Sequence, residues 1–499
     1  MDIFPGETEF CRLRRKGGII PLFSQIPLNH ETPAALFERL TAGEDISFLL
    51  DSGKGGSRIA RYSFIGCNPN LIFKSKGNLI DVTTDKEKKS YQGNPIDMLS
   101  TLLNKSNTTK IDYLSHFWGG GVGYISYDTC HLFEDLPRTT VDDLNLPDIF
   151  FIIVDEVIVV DHLEDTIKII VCIREGDSYK RCARRIEEIR ERLISKAENH
   201  SYARDVSGRA AIPDPMTISI GKDGLRSNLT RDDFIRMVRR AKEYIADGDI
   251  YQTNLSQRLE MDYSGDPLRL YKKLRDINPS PFAGLLRLKD ISIVSSSPER
   301  LIKVDGDHIE TRPIAGTRPR GRDRIEDERL SKDLLLNEKE RAEHLMLVDL
   351  ERNDLGRICQ YGTVKVDEMM SLEAYSHVWH IVSNIHGRLR DSINIFDILR
   401  SCFPGGTITG CPKVRCMEII DELEPTQRGP YTGSMGYIGY AGDIDLNILI
   451  RTILIKDGKG YISVGAGIVA DSDPESEYLE TLDKARGMIG AIRASIHKW

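Results

Sequence analysis

No Cys-x-x-Cys pair occurs among the nine cysteines of this chain, Cys11, Cys67, Cys130, Cys172, Cys182, Cys359, Cys402, Cys411 and Cys416, and their number is odd. That pattern indicates neither a zinc site nor a disulfide framework, and it suits a reducing cytoplasm. Long apolar runs are missing too. The opening Met1-Asp2-Ile3-Phe4-Pro5-Gly6-Glu7 has no basic lead before an apolar core, so neither a membrane span nor a secretory leader is expected. Charge of one sign is nowhere massed: 68 Lys and Arg against 76 Asp and Glu leave a net charge of -8 spread along 499 residues. That gives no electrostatic case for nucleic acid or an anionic membrane as partner. No internal repeat or low-complexity segment is present. What remains is 40% hydrophobic and 29% charged, enough to bury a large core as a few domains or one unusually large one, with small-molecule chemistry as the expected work.

Residues from about 18 to 175 read as short strands between turn signals, among them Ile46 to Leu50, Asn78 to Thr83, Ile149 to Val160 and Thr166 to Cys172. Asp177 to Asn199 is helical in pattern and highly charged. Tyr202 to Asn228, with Gly208, Pro213, Pro215, Gly221 and Gly224, reads as a linker. The chain thus divides into a strand-rich region 1–200, a linker 201–228 and a second region 229–499. The second region opens with a helix in which Thr230 caps the first turn and Asp233 completes a capping box. Phe234, Val238, Ala241 and Ile245 form its apolar stripe before Gly248 ends it. In the strand predicted over Ile250 to Leu259, Tyr251, Thr253, Leu255 and Leu259 share one face and Gln252, Asn254, Ser256 and Arg258 the other. Such a polar face needs partners if buried and can line a pocket. Asn447 to Ile455 and Tyr461 to Val469 read as strands, and Asp473-Pro474 opens a helix with Tyr478, Leu482, Ala485, Ile489 and Ile492 inward.

Two pairs of carboxylates, Glu340 with Glu343 and Glu477 with Glu480, stand three residues apart on predicted helices, so each pair shares a face. Alone, each is a solvated helix face, and Glu480 can pair with Lys484 one turn on. Brought together, the four repel unless a hard divalent cation sits among them. Mg2+ takes a few protein oxygens, some waters and the substrate's own oxygens. Around these pairs lie Ser295-Ser296-Ser297-Pro298-Glu299-Arg300, the stretch Thr311-Arg312-Pro313-Ile314-Ala315-Gly316-Thr317-Arg318-Pro319-Arg320-Gly321, and the run from Glu343-His344 to Asn353-Asp354. Tyr375-Ser376-His377-Val378-Trp379-His380, Phe403-Pro404-Gly405-Gly406-Thr407 and Gly465-Ala466-Gly467 follow. On these segments, in this order, the chain resembles the chorismate-utilising enzymes, in particular component I of anthranilate synthase and of aminodeoxychorismate synthase. The resemblance spans nearly the whole chain, with earlier matches at Leu49-Leu50-Asp51-Ser52, Arg61-Tyr62-Ser63-Phe64-Ile65-Gly66 and Gly120-Gly121-Val122-Gly123-Tyr124.

The resemblance implies an α+β fold, a large α/β sandwich of two packed, mainly antiparallel β-sheets with helices outside, to which both halves contribute strands. It implies Mg2+ ligation by Glu343 and Glu480, with Glu340 and Glu477 supporting or sharing the ion. Glu299 would be the general acid/base, and His380 would lie near the departing ring hydroxyl. Arg451 and Lys484 would contact substrate carboxylates, the first as a bidentate guanidinium and the second as a point charge. Gly316, Thr317, Thr407, Tyr431, Gly465 and Gly467 would make the remaining contacts, the glycines admitting close main-chain approach.

Ala315 stands where such families carry Ala or Lys, and a methyl group cannot attack the ring as an amine can. Relatives that use water carry Lys where this chain has Gln252, which cannot serve as a base. Ammonia, already a competent nucleophile that needs guidance, is therefore the expected co-substrate. Tyr251 to Leu255, Phe403 to Gly410, Tyr431 to Ser434 and Leu446 to Thr452 resemble aminodeoxychorismate synthases, which implies 4-amino-4-deoxychorismate for 4-aminobenzoate and folate synthesis. Ala315, Leu49 to Ser52 and Asn278 to Phe282 instead resemble anthranilate synthase, whose products are anthranilate and pyruvate in tryptophan biosynthesis. The last two segments would form a tryptophan site at Ser52, Asn278, Pro279 and Ser280. Asp51 departs from the more frequent Glu, and Cys411 from the more frequent Ala. Neither Cys402 nor Cys411 has the Gly-x-Cys-x-Gly surround of an amidotransferase nucleophile, so a separate glutamine amidotransferase subunit is the expected ammonia source. A reading from another class, a non-catalytic ligand-binding subunit, is opposed by the intact Glu299, Glu343, His380 and Glu480.

Overall fold

The computed structural model describes residues 2–52, 61–104, 114, 117–195, 218, 220–221, 224–374 and 378–496. Most of the linker predicted at 201–228, the last residues of the helical stretch to Asn199, and Tyr375, Ser376 and His377 lie outside the described residues.

Two twelve-stranded sheets, antiparallel at every pairing between named strands, form the body, and each is built from both halves of the sequence. In the first sheet the early strand Ile46–Asp51 pairs with the late strand Phe282–Leu288, Leu49 facing Leu285. In the second, Gly120–Ile125 pairs with Ser434–Gly439, Val122 facing Tyr437. Successive strand residues point to opposite faces. Phe48 and Leu49, adjacent and both 0% exposed, therefore reach two different cores. Phe48 joins Leu286, Ile293, Val122, Ile302 and Leu446 between the sheets. Leu49 joins the layer where Pro33–Leu40, Tyr179–Ile194, Arg231–Ala246, Pro267–Ile277 and Pro474–Ile496 cover the first sheet. The expected sandwich with helices outside is the fold observed.

Local chemistry explains most boundaries. The helix Arg231–Ala246 begins at Thr230 with the predicted capping box to Asp233 and buries Phe234, Val238 and Ala241. The helix Pro474–Ile496 buries Tyr478, Leu482, Ala485, Ile489 and Ile492 as its stripe predicts. Two expected strands, however, are each divided. Ile149 to Val160 becomes Ile149–Val154 in the second sheet and Glu156–Asp161 in the first. Asp155 at the break accepts hydrogen bonds from Arg174 (2.9 Å at Nη2) and Tyr440 (2.7 Å). Asn447 to Ile455 likewise becomes Ile444–Ile448 in the second sheet and Thr452–Lys456 in the first. A strand buried on both faces has no polar-apolar period, so nothing in its composition marks where the chain changes sheet.

Candidate active site

The strands Gln252–Asp262 and Lys459–Ile468 run antiparallel, placing Asn254 opposite Gly467 and Ser256 opposite Gly465. The predicted polar face of the first strand is buried at Gln252 and Ser256, half-buried at Asn254 and Arg258, and largely partnered. Gln252 Nε2 donates to Glu343 Oε1 (2.8 Å), and Ser256 gives its amide and hydroxyl to Glu424 (2.8 and 2.9 Å). Tyr251, expected on the apolar face, precedes the strand and is 71% exposed. The two glycines leave room that no other residue would. A Cβ on Gly465 would sit 2.5 Å from Asn254 Oδ1 and 2.9 Å from the Tyr431 hydroxyl; one on Gly467 would sit 2.8 Å from Gln252 Nε2 and 3.8 Å from Glu343.

Over this floor stand two helices, Glu338–Gly356 and Pro474–Ile496, carrying the four predicted carboxylates. Asn337 caps the first by accepting from the Glu340 amide (3.0 Å). Glu340 then accepts from Arg318 (3.0 Å), and Glu480 pairs with Lys484 (2.7 Å), whose ammonium also reaches the Gly465 carbonyl (2.9 Å). Burial pushes the Glu343 carboxyl up; the Gln252 amide opposes this, while the charges of Glu340 and of Glu480, on the other helix, push it further. Burial also raises Glu477, a hydrogen bond to Ser472 opposes it, and the Glu480 charge adds to it. Among the described residues no group of three or more acidic, His or Cys side chains is gathered to hold an ion by itself. Mg2+ needs only one or two carboxylates when waters and substrate oxygens complete its shell. Glu343 and Glu480, two acids on different helices of which the second raises the first by its charge, fit that requirement.

The second sheet supplies the opposite wall. In its strands Ile314–Pro319 and Val378–Arg388, Thr317 faces His380. The Nδ1 of His380 lies 3.1 Å from both the Gly316 carbonyl and the Thr317 hydroxyl. A carbonyl only accepts, so Nδ1 carries the proton and Nε2 is the basic nitrogen. Burial lowers this imidazole to about 4, so it is neutral at physiological pH. Gly316 has φ +69°, a backbone that favours glycine, and a Cβ there would lie 2.9 Å from Glu340 Oε2 and displace that carboxylate. Ala315 is buried in the same strand. Glu299, 4% exposed, accepts from the Ile314 amide (3.3 Å). Burial raises its carboxyl to about 7, against the Thr407 hydroxyl and that amide, which favour the ionised form. The Thr407 hydroxyl influences Glu299 without forming a well-shaped hydrogen bond, and its Oγ1 is left unsatisfied.

Arg451 owes its place to the divided strand. It sits at the crossing between sheets with φ +53°, and its Nη1 donates to the Lys484 carbonyl (2.9 Å). Among the described residues no carboxylate pairs with it, and burial pushes the guanidinium down. Tyr431 neighbours it and lies 5.9 Å below the Arg428 guanidinium. The sequence reading missed Arg428, which pairs with Glu424 in the interior (2.6 Å) and donates to the Asn254 carbonyl (2.6 Å). It also missed Glu351, 6% exposed, which accepts from the Thr311 hydroxyl (2.7 Å). Glu351 belongs to a helix rich in exposed charge and Arg428 to the connection after the helix Lys413–Leu423, so only coincidence with a motif could have flagged them.

Between the sheets, apart from this cleft, lies a cavity of about 230 Å³ lined by Ser52, Tyr62, Phe282, Arg300, Tyr437 and Asn447 among others. Of the four residues predicted for an amino-acid site, Ser52 lines it; Asn278, Pro279 and Ser280 do not, the wall from that segment being Pro281, Phe282 and Ala283. Asp51, also on the wall, is engaged by Tyr271 (2.6 Å), Ser63 (2.8 Å) and Arg275 (3.0 Å).

Known proteins resemble this chain along most of their length. The chain is 42% identical to anthranilate synthase component 1 of Acetivibrio thermocellus, over 98% of each. It is 40% identical to aminodeoxychorismate synthase component 1 of Bacillus subtilis (strain 168), over 95% of this chain and 97% of that one. The crystal structure of anthranilate synthase component I from Streptococcus pneumoniae TIGR4 superposes with a TM-score of 0.74 at 32% identity, covering 87% of this chain and 95% of that one. With residues 29–490 matching the family described as chorismate binding enzyme, this chain belongs to the chorismate-binding enzymes.

Proposed function

We propose that this enzyme aminates chorismate to 4-amino-4-deoxychorismate, using ammonia delivered by a separate glutamine amidotransferase subunit. The observation that carries the reading is the contact between Gln252 and Glu343: an amide, where a water-activating enzyme needs an amine, holds the half-buried carboxylate. An amide is no base, so the nucleophile must arrive competent, as ammonia does. The partner is supported by the similarity to proteins named component 1. The nine cysteines are free thiols, which suits the cytoplasm.

In this reading Arg451 and Lys484 draw in the dicarboxylate, and the ring rests between the floor glycines and the wall of Ala315 and His380. The ammonia nitrogen bonds to the ring as the hydroxyl leaves with a proton as water, one water per amine formed, and the enolpyruvyl ether is kept. Glu299, poised near neutrality, gives or takes the proton. The neutral His380 offers its basic nitrogen beside the departing oxygen. Glu343 and Glu480 would hold Mg2+, with Glu340 and Glu477 in support, and the bound ion would neutralise a ring carboxylate.

Anthranilate with release of pyruvate is the second reading, favoured by Ala315 and by Ser52 on the cavity wall, where tryptophan would bind. The test incubates the purified chain with chorismate, Mg2+ and an ammonium salt. A product that yields 4-aminobenzoate after a lyase is expected. Anthranilate fluorescence would transfer the assignment to the second reading, and no amine at all would leave a binding subunit.

A further inference from the structure

Asn254 has a fixed backbone and an unspent side chain. Its amide donates to the Thr409 carbonyl (2.9 Å) and its carbonyl accepts from Arg428 (2.6 Å), so the main chain cannot shift. Its side-chain Oδ1 is buried with no donor. Buried acceptors are seldom left so, and one that is points to a missing partner. The carboxamide packs over Gly465, its Oδ1 and the Tyr431 hydroxyl lying 2.5 and 2.9 Å from the point a Cβ would occupy. Lys484 ties the Gly465 carbonyl to this corner (2.9 Å), and its own carbonyl holds Arg451 (2.9 Å).

We propose that Asn254 is a further substrate contact, its carboxamide N–H donating to the carboxylate of chorismate that lies between Arg451 and Tyr431. The oxygen and nitrogen of a carboxamide exchange places by a half-turn of the terminal torsion. With the oxygen forward, the group would repel an anion that the unpaired Arg451 attracts. The sealed end of the carboxamide is the oxygen, so the nitrogen is the end left to meet the anion, and the corner presents three donors to one carboxylate. Gln252 and Asn254, two apart on one strand face, then serve different ends of the molecule, the first beside Glu343 and the second beside Arg451. The inference rests on the dicarboxylate substrate of the proposed function and not on which nucleophile or product follows.

Calorimetric titration of chorismate into the full chain with Mg2+ and no ammonia reads it directly, alongside KM for chorismate and for ammonium. N254A is expected to weaken chorismate about tenfold, and N254D, which sets a charge against the carboxylate, about a hundredfold or more. N254S, which keeps a hydroxyl donor, is expected to bind more tightly than N254A, and it decides the matter should N254D not fold, as read from its thermal midpoint. In every variant the ammonium KM stays at the wild-type value. Unchanged chorismate affinity in N254D, equal affinities of N254S and N254A, or a raised ammonium KM with chorismate affinity intact overturns the assignment. A wild type that binds chorismate but forms no amine would defeat the proposed reaction while leaving this contact standing on its binding data.

Discussion

Glu299 and Glu351 are buried acids in one neighbourhood. Burial raises both, and the charge of Glu299 adds to the rise at Glu351. Glu299, at about 7, titrates within the working range; burial holds Glu351 well above the usual carboxylate range. The folded chain thus holds the Glu299 proton more tightly than the unfolded chain does. The stability Glu299 contributes is fully present below the ordinary carboxyl range and is lost as pH rises through about 7, on the order of 3 kcal/mol in all. Glu299→Gln removes that ionisation. Its thermal midpoint is expected to match the wild type at pH 5 and exceed it at pH 8 by scanning calorimetry, while amine formation falls by at least about a hundredfold. Equal midpoints at pH 8 would show that Glu299 is not the ionising group. Glu299, His380 and Gln252 were legible as motif residues. The orphan oxygen of Asn254 and the burial of Glu351 were not, because a polar residue in a polar stretch looks solvated until its neighbours are known.

At the scale of elements, the segment from Glu424 to Ser434 organises the carboxylate corner. Arg428 and Glu424, 6% and 5% exposed, form an interior ion pair that also anchors Ser256, Asn254 and the ring of Tyr431. Such a pair contributes little over an apolar substitute, yet removing one member strands the other charge. Arg428→Met is therefore expected to cost about 3–5 kcal/mol in urea unfolding and to weaken chorismate binding, although Arg428 lies behind the site. A loss under about 1 kcal/mol would mean that the pair is solvated. Capped helices were read well from sequence because their signals are local, as at Thr230 and Asp233. The sheet crossings at Asp155 and Arg451 were not, since the run of buried residues continues through each turn and the partner strands are distant in sequence.

For the molecule as a whole, the decisive property is that both sheets are seamed from early and late strands. A fragment of residues 229–499 would expose the edges of Phe282–Leu288 and Ser434–Gly439, whose partners Ile46–Asp51 and Gly120–Ile125 lie in the other half. Bare apolar edges pair with other chains. The fragment is expected to aggregate alone and to become soluble when co-expressed with residues 1–200; a soluble, folded fragment by itself would contradict the seam. Motif order by itself determined the resemblance to the chorismate-binding family, and that resemblance implied the sandwich and named the candidate acids and donors, because reactive side chains are written residue by residue. Only the tertiary structure decided that the Glu480 charge reaches Glu343 from another helix, that Arg451 turns between sheets near Tyr431, and that Asn254 meets Tyr431 over Gly465. Those relations depend on contacts between residues scores of positions apart, which no local pattern carries.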